Sequence, residues 1–376
     1  MAEGTPMTLI RYACLAAAAA VSIGAVDAPA AISVVAAPAG QAKGQPLPLT
    51  IGGRVDARAD GYHRQWPGTY FDAAFDGSSA QIAVGPGDVV LNVTVDGRQV
   101  AQLVKPRPGL YAITGLSRGR HAVRVQVASE SQAGPTVFGG IFAGGGTRAL
   151  PAPVQTRQIE FIGDSHTVGY GNTSSTRDCT EADVWRTTDT SRGVPAVLAQ
   201  RYRAAYQVNA ISGRGIVRNY DNLQGDTVPV AHPYTLFDKA RAFVDPTWHP
   251  RLIVIALGTN DFSTPLKPGE PWKTRADLHA DYESRYVGFV RRLRARDPQA
   301  HILLWATDLA DGEIAREVGK VKARLDAAGI GNVGFVAVKG LSFSGCHFHP
   351  SVADDRIIAD RLAAYVDAHP GLWSKH

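Results

Sequence analysis

Cysteine and methionine are scarce in this 376-residue chain, with three of the first and two of the second. Three cysteines are too few for a disulfide-stapled miniprotein or a thiolate metal cluster. Charge is sparse too, at 19% of residues, and nearly balanced, with 39 basic side chains against 34 acidic. The net charge of +5 is carried by 30 Arg and only 9 Lys and is scattered along the chain. It builds no basic face, so no nucleic-acid partner is expected. Heptads, a Gly-X-Y period and internal repeats are all missing, which excludes coiled coil, collagen and solenoid. No His/Cys/carboxylate group has metal-ligand spacing and no phosphate loop occurs, so neither a metal nor another cofactor is expected. The 45% of apolar residues is ordinary globular composition. The length suits about two domains of roughly 150 residues each.

The start of the chain has the pattern of an export signal. Met1, a second possible start at Met7, and Arg11 lead into an Ala-rich apolar run over 13–26. Small residues at Ala28, Ala30, Ala37 and Ala39 offer cleavage points of the A-x-A kind. A membrane anchor is the alternative, but Asp27 and Pro29 interrupt the run before the ~20 residues that a spanning helix needs. Residues 1–40 are therefore expected to be signal peptide and leader, with 38–48 flexible. The mature protein is expected outside the cytoplasm, secreted or periplasmic, off the membrane and monomeric. Cys14 would leave with the signal, and Arg11 sits where a lipoprotein motif wants an aliphatic residue. Cys179 and Cys346 remain, an even number, so a Cys179–Cys346 disulfide is expected, with two buried thiols as the alternative.

Two periods divide the rest. Over 46–152 short strands alternate with turns: Leu91, Val93 and Val95 with Asn92 and Thr94, then Val123, Val125 and Val127 with Arg124 and Gln126. Asp96-Gly97 is a hairpin signal, and glycines and prolines recur about every ten residues. This half is expected to be an antiparallel, all-β sandwich. From 155 to 376 strands and helices take turns. Apolar strands are expected at 159–162, 252–257, 301–306 and 333–338. Helices are expected along Val194, Val197, Leu198 and Tyr202, along Leu278, Tyr282, Phe289 and Leu293, and over 314–328 and 353–368. Repeated βα units imply a parallel sheet covered on both faces. The boundary falls near 151–153.

Chemistry in such sheets gathers at the C-terminal ends of the strands. Four segments there carry polar residues. In Gly163-Asp164-Ser165-His166, Ser165 stands at a strand-to-helix turn, where its hydroxyl faces the cleft and its N–H can hold an oxyanion. In Asn209-Ala210-Ile211-Ser212-Gly213-Arg214-Gly215, Gly213 lets backbone approach a ligand, with Gly215 as the alternative donor. In Leu257-Gly258-Thr259-Asn260-Asp261, Asn260 offers a side-chain amide. In Cys346-His347-Phe348-His349-Pro350, His349 is the candidate general base, with His347 as competitor.

These four segments resemble the blocks of the SGNH (GDSL) hydrolase superfamily. The resemblance implies Ser165 as nucleophile, His349 as base, and Ser165, Gly213 and Asn260 as the oxyanion hole. The motifs Trp66-Pro67-Gly68-Thr69-Tyr70-Phe71, Asn92-Val93-Thr94-Val95-Asp96-Gly97 and Arg218-Asn219-Tyr220 make the chain similar to carbohydrate esterase family 2 from about Leu47 onward. That family implies a jelly-roll domain followed by a flavodoxin-like three-layer α/β SGNH domain. It implies a serine esterase, of acetylxylan-esterase type, that removes O-acetyl groups from plant cell-wall polysaccharides such as xylan and glucomannan through an acetyl-enzyme. The superfamily usually sets an Asp three residues before the catalytic His, and here that residue is Cys346. The resemblance therefore implies a Ser-His dyad, with a backbone carbonyl orienting the ring. The alternatives are a GDSL lipase or lysophospholipase and a catalytically silent carbohydrate-binding protein.

Other conspicuous residues have plainer readings. Asp164 is read as an anchor of the serine turn, and His166 as a cleft-lining side chain. The Arg291, Arg292, Arg294 and Arg296 run is read as a solvated helix end. Trp66, Tyr70 and Phe71 are expected in the sandwich core, with a sugar platform as the alternative. The glycosylation patterns at Asn92 and Asn172 are read as idle.

Overall fold

The computed structural model describes residues 1–4 and 31–374. The export signal, Cys14, Ala28 and Ala30 lie outside the described residues. The leader gives way to structure earlier than expected. β1 (Ser33–Ala36) pairs antiparallel with a later strand, since Ile32 and Val34 lay apolar side chains on the sandwich core. The stretch before residue 48 is tied down as well. Leu47 is buried and its N–H donates to Ile141 O, while Ala143 N–H donates to Gln45 O.

β2 (Thr50–Gly52), β3 (Asp56–Arg58), β4 (Gly61–Arg64), β5 (Tyr70–Gly77), β6 (Ala80–Val84) and β7 (Val90–Val95) follow. After them come β8 (Arg98–Val104), β9 (Gly109–Thr114), β10 (Gly119–Val127), β11 (Thr136–Ala143) and β12 (Arg148–Leu150). They form two antiparallel sheets, ordered β1-β9-β6-β11-β4-β3 and β12-β5-β10-β7-β8, with β2 on β5. The expected alternation is present: Phe71, Val93, Val123 and Val125 are buried between the sheets with Ile82 and Phe138. Asp96 and Gly97 both take positive φ, 51° and 79°, as a two-residue hairpin turn requires.

The polar residues of that alternation are not left to solvent. Gln126 donates to Tyr206 Oη at 2.6 Å, and Asn92 Nδ2 donates to both Asp189 carboxylate oxygens at 3.1 Å. The outer face of the second sheet is thus covered by the α/β half. Trp66, Tyr70 and Phe71 are buried, which removes them as a sugar platform. Asn92 and Asn172 are buried too, so their glycosylation patterns are closed in the folded chain.

The second half runs β13 (Arg157–Gly163), α1 (Ser165–Val168), α2 (Glu181–Thr187), α3 (Val194–Tyr202), β14 (Ala204–Ala210) and α4 (Val228–Ala231). It continues β15 (Leu252–Ala256), α5 (Thr259–Phe262), α6 (Arg275–Arg296), β16 (His301–Thr307), α7 (Glu313–Ala327), β17 (Val333–Val338) and α8 (Val352–Asp367). The five strands are parallel, ordered β14-β13-β15-β16-β17. β15 is buried throughout, as a doubly covered strand must be. Leu252 and Val254 pack under α3 and α8, while Ile253 and Ile255 pack under α6 and α7. That is a three-layer α/β architecture.

The arginine run is not wholly a solvated helix end. Arg294 donates to Pro298 O and Gly331 O, and Arg296 pairs with the fully buried Glu160 of β13. Glu160 also meets Arg54 from the β half (3.2 Å) and His232 (2.8 Å), a pairing that spans the two halves. Sequence spacing gives no sign of it, because Arg54, His232 and Arg296 lie 106, 72 and 136 residues from Glu160.

Candidate active site

The chain leaves β13 toward β14 on one side of the sheet and β15 on the other, so the loops after these strands diverge around a crevice at their C-terminal ends. Ser165 opens the short helix α1 after β13, Gly213 lies in the loop after β14, and Asn260 lies in the short helix α5 after β15. Gly163 closes β13 against α1, where a Cβ would lie 2.0 Å from Thr167 Oγ1. Asp164 caps α1 by accepting the His166 N–H at 3.0 Å, which makes Ser165 the first helical residue.

His349 arrives from the loop before α8. Its Nε2 lies 2.9 Å from Ser165 Oγ, and its Nδ1 lies 2.9 Å from Cys346 O. A carbonyl only accepts, so Nδ1 carries the proton and Nε2 is bare toward the serine hydroxyl. Burial pushes His349 down to about 4, against the opposing pull of its backbone bonds to Cys346 and His347. The ring is therefore neutral at pH 7. His347 is turned away: its Nε2 faces Cys179 O at 2.7 Å and its Nδ1 the Tyr170 hydroxyl at 3.1 Å. His166 is buried with its ring 5.6 Å from that of His349, and burial followed by the neighbouring His349 pushes it down to about 3.

A disulfide joins Cys179 to Cys346 and ties the histidine loop to the loop after Ser165. Arg177 reinforces the tie by donating to Phe343 O at 2.9 Å and Ser342 O at 2.7 Å. Gly171 holds φ +55° against the bridge, where a Cβ would stand 2.4 Å from Cys346 Cβ.

On the other side of the crevice Gly213 takes φ +79°, and among the described residues its N–H and that of Ser165 have no acceptor. Gly215 differs, since its N–H donates to Asn219 Oδ1 at 3.3 Å. Its small size serves packing, a Cβ there falling 2.2 Å from Arg218 O. Asn260 Nδ2 donates to Arg214 O at 2.9 Å and to Asp164 Oδ2 at 3.2 Å. Burial raises Asp164 to about 7, with the neighbouring Asp261 adding to it.

Sequence reading missed several supports. Asp261 accepts the N–H groups of Ile216, Val217 and Arg218 at 2.9–3.0 Å and so folds the loop that carries Gly213. Tyr170 lays its ring 4.2 Å from that of His349. Asn172 donates to the buried Asp355 of α8 at 2.9 Å, which pins the serine loop to the helix after His349. Asp261 adjoins Asn260 and could have been suspected. Tyr170 and Asn172 carry no signal outside the fold.

The assembled groups suit acyl transfer: a hydroxyl, a neutral imidazole on it, and two N–H groups, of Ser165 and Gly213, without an acceptor among the described residues. The comparisons agree. A model described as carbohydrate esterase 2 N-terminal matches residues 51–153. A model of the GDSL-like lipase/acylhydrolase family matches 161–369. An acetylxylan esterase / glucomannan deacetylase of Cellvibrio japonicus (strain Ueda107) is 40% identical, the match covering 88% of this chain and 93% of that protein. A solved carbohydrate esterase, described as having divergent catalytic and non-catalytic binding functions in its active site, superposes with a TM-score of 0.83. It is 39% identical, over 88% of this chain and 100% of that one. A family two carbohydrate esterase from Clostridium thermocellum in complex with cellohexaose gives a TM-score of 0.76 at 26% identity, over 86% and 100%. The chain belongs to carbohydrate esterase family 2 and is a carboxylic ester hydrolase.

Proposed function

We propose that this enzyme releases acetate from acetylated plant cell-wall polysaccharides, xylan and glucomannan among them. Ser165 Oγ attacks the acetyl carbonyl carbon while His349 Nε2 takes its proton. The oxyanion is held by the N–H groups of Ser165 and Gly213 and by Asn260, whose longer bond, to Asp164, is the one that can be given up. His349 then returns the proton to the departing sugar oxygen as its bond to the acetyl carbon breaks. Water, giving its proton to the same imidazole, attacks the acetyl-Ser165 ester; His349 returns that proton to Ser165 Oγ as the Oγ–acyl bond breaks, which frees acetate and restores the serine. Cys346 O orients the ring throughout, so a dyad suffices. A carbonyl stabilises the imidazolium less than a carboxylate would. The single observation that carries this reading is the chain Ser165 Oγ–His349 Nε2, His349 Nδ1–Cys346 O, with both contacts at 2.9 Å.

Cellohexaose bound to the Clostridium thermocellum relative supports a glycan as ligand. We also read the sandwich as a jelly roll. The runs β9-β6-β11-β4 and β5-β10-β7-β8 support this, since the chain crosses from sheet to sheet at nearly every step. The enzyme works as a secreted or periplasmic monomer off the membrane. The disulfide supports an oxidising compartment.

The test is acetate release from acetylated xylan and acetylated glucomannan, with Ser165→Ala as control. Release that disappears in the variant is expected. Preference for octanoate over acetate aryl esters, with no release from either polymer, would overturn the substrate.

A further inference from the structure

Beside the catalytic crevice the two halves of the protein enclose a cleft of about 670 Å³. That volume is in the range of ~300–1,000 Å³ usual for small-ligand sites. One wall comes from the β half, with Lys105 and the loop that carries Glu130 and Gln132. The other comes from the α/β half, with Tyr170, Trp185 and Ser212. The cleft adjoins both sides of the catalytic machinery. Tyr170, at one end, has its ring against His349. Ser212, at the other, immediately precedes Gly213, and the β half grips it twice. Glu130 Oε1 accepts the Ser212 N–H at 2.9 Å, and Gln132 Nε2 donates to Ser212 O at 3.1 Å. The cleft is therefore one side chain, Tyr170, away from the His349 ring.

The lining suits a sugar. The half-buried Trp185 gives an aromatic wall steadied by Lys105, whose Nζ sits 4.6 Å from the ring centroid. A pyranose ring lays its C–H face on such a wall and turns its hydroxyls to polar neighbours. The charges suit a neutral one. Lys105 is neutralised by Asp88 at 2.7 Å, while Glu130 and Glu181 in the same lining form no salt bridge among the described residues. A uronate would meet like charge there, and like charges across a contact are costly.

We propose that this cleft is a glycan subsite, taking a neutral pyranose next to the acetylated residue, with Trp185 and Tyr170 against the ring and Glu130 and Gln132 at its hydroxyls. The β half thereby reads the substrate rather than only supporting the fold. The inference rests on the polysaccharide reading above.

Two variants test it. Trp185→Ala removes the wall, and Ala133→Trp, at an exposed position in the lining, fills the space without disturbing a buried group. Each is measured for kcat/KM on acetylated xylan and glucomannan oligosaccharides and on 4-nitrophenyl acetate. Each is also measured for oligosaccharide binding in the Ser165→Ala background by calorimetry. Both variants are expected to lose about tenfold on the oligosaccharides, in kcat/KM and in binding, as loss of an aromatic contact usually costs. The aryl ester is expected to turn over unchanged. Uncharged oligosaccharides are expected to bind more tightly than uronate-bearing ones. Oligosaccharide turnover and binding that survive both variants overturn the subsite. So does an equal loss on both substrates. If the parent enzyme releases no acetate from polysaccharide while both variants still abolish binding, the substrate reading fails and the subsite stands.

Discussion

Removing the Cys179–Cys346 bridge separates what it does for the unfolded chain from what it does for His349. The cysteines are 167 residues apart. Closing a loop of that length in the unfolded chain costs about 5 kcal/mol by chain entropy, and measured bridges more often deliver about 2–4 kcal/mol. The folded loop, by contrast, keeps other ties. Arg177 still holds Phe343 O and Ser342 O, His347 N–H still donates to Arg177 O at 2.8 Å, and Cys346 N–H still reaches Gly171 O at 3.3 Å. The Cys346 carbonyl that orients His349 is backbone and survives any substitution. The expectation for Cys179→Ser/Cys346→Ala is therefore a loss of about 2–5 kcal/mol in unfolding free energy, with kcat at low temperature within about tenfold of the parent. The assays are denaturant unfolding with and without reductant, and 4-nitrophenyl acetate turnover well below the melting temperature. A double variant with unchanged unfolding but collapsed kcat would refute the reasoning. The bridge would then act on the folded histidine loop and not on the unfolded chain.

Four further outcomes follow from the geometry. Asn260→Ala removes one of the donors proposed for the oxyanion and leaves Asp164 Oδ2 without its amide. It is expected to lower kcat by about 10²–10³ with KM little changed, and near-normal turnover would exclude Asn260 from the hole. Because burial holds His349 at about 4, the acid limb of kcat/KM is expected near pH 4 and not near the ordinary imidazole value, as a pH–rate profile would reveal. In the window between about 4 and the unfolded value of 6.5 the unfolded chain binds the proton that buried His349 and His232 refuse. These two groups should therefore add stability as pH rises across that window, against the opposite contribution of Asp164 and Asp261, which burial raises to about 7 and about 6. A change in melting temperature between pH 4.5 and 7 that is less positive in His349→Ala than in the parent checks the sign. Glu160→Gln strips the anion from Arg54 and Arg296, and it is expected to cost about 3–5 kcal/mol in a chemical unfolding experiment while sparing low-temperature turnover. An unshifted midpoint would mean that the cluster contributes little.

The two-part architecture was legible in the order of amino acids, since period-two alternation up to about residue 150 and βα alternation beyond it reflect nearest-neighbour geometry along one chain. That order brought Ser165 and His349 forward as a pair because each sits in a short local motif: Gly163-Asp164-Ser165 at a strand end, and His349-Pro350 before a helix. The carbonyl in place of the missing carboxylate came from the resemblance to carbohydrate esterase family 2, because Cys346 stands where the superfamily usually has an Asp. The tertiary structure decided the rest. The alternation around Asn92 and Gln126 looked half-exposed until the α/β half covered that face, and nothing local to a strand announces a partner about eighty or more residues away. Gly213 and Gly215 are equivalent as letters, and only the fold spends one N–H on Asn219 and leaves the other toward the crevice. Arg296 looked like a solvated charge because its buried partner lies 136 residues earlier. The cleft lined by Glu130 and Trp185 exists only where two separately folded surfaces meet. Local motifs record what a residue can do chemically, while burial, orientation and partners belong to contacts that the chain makes only once it is folded.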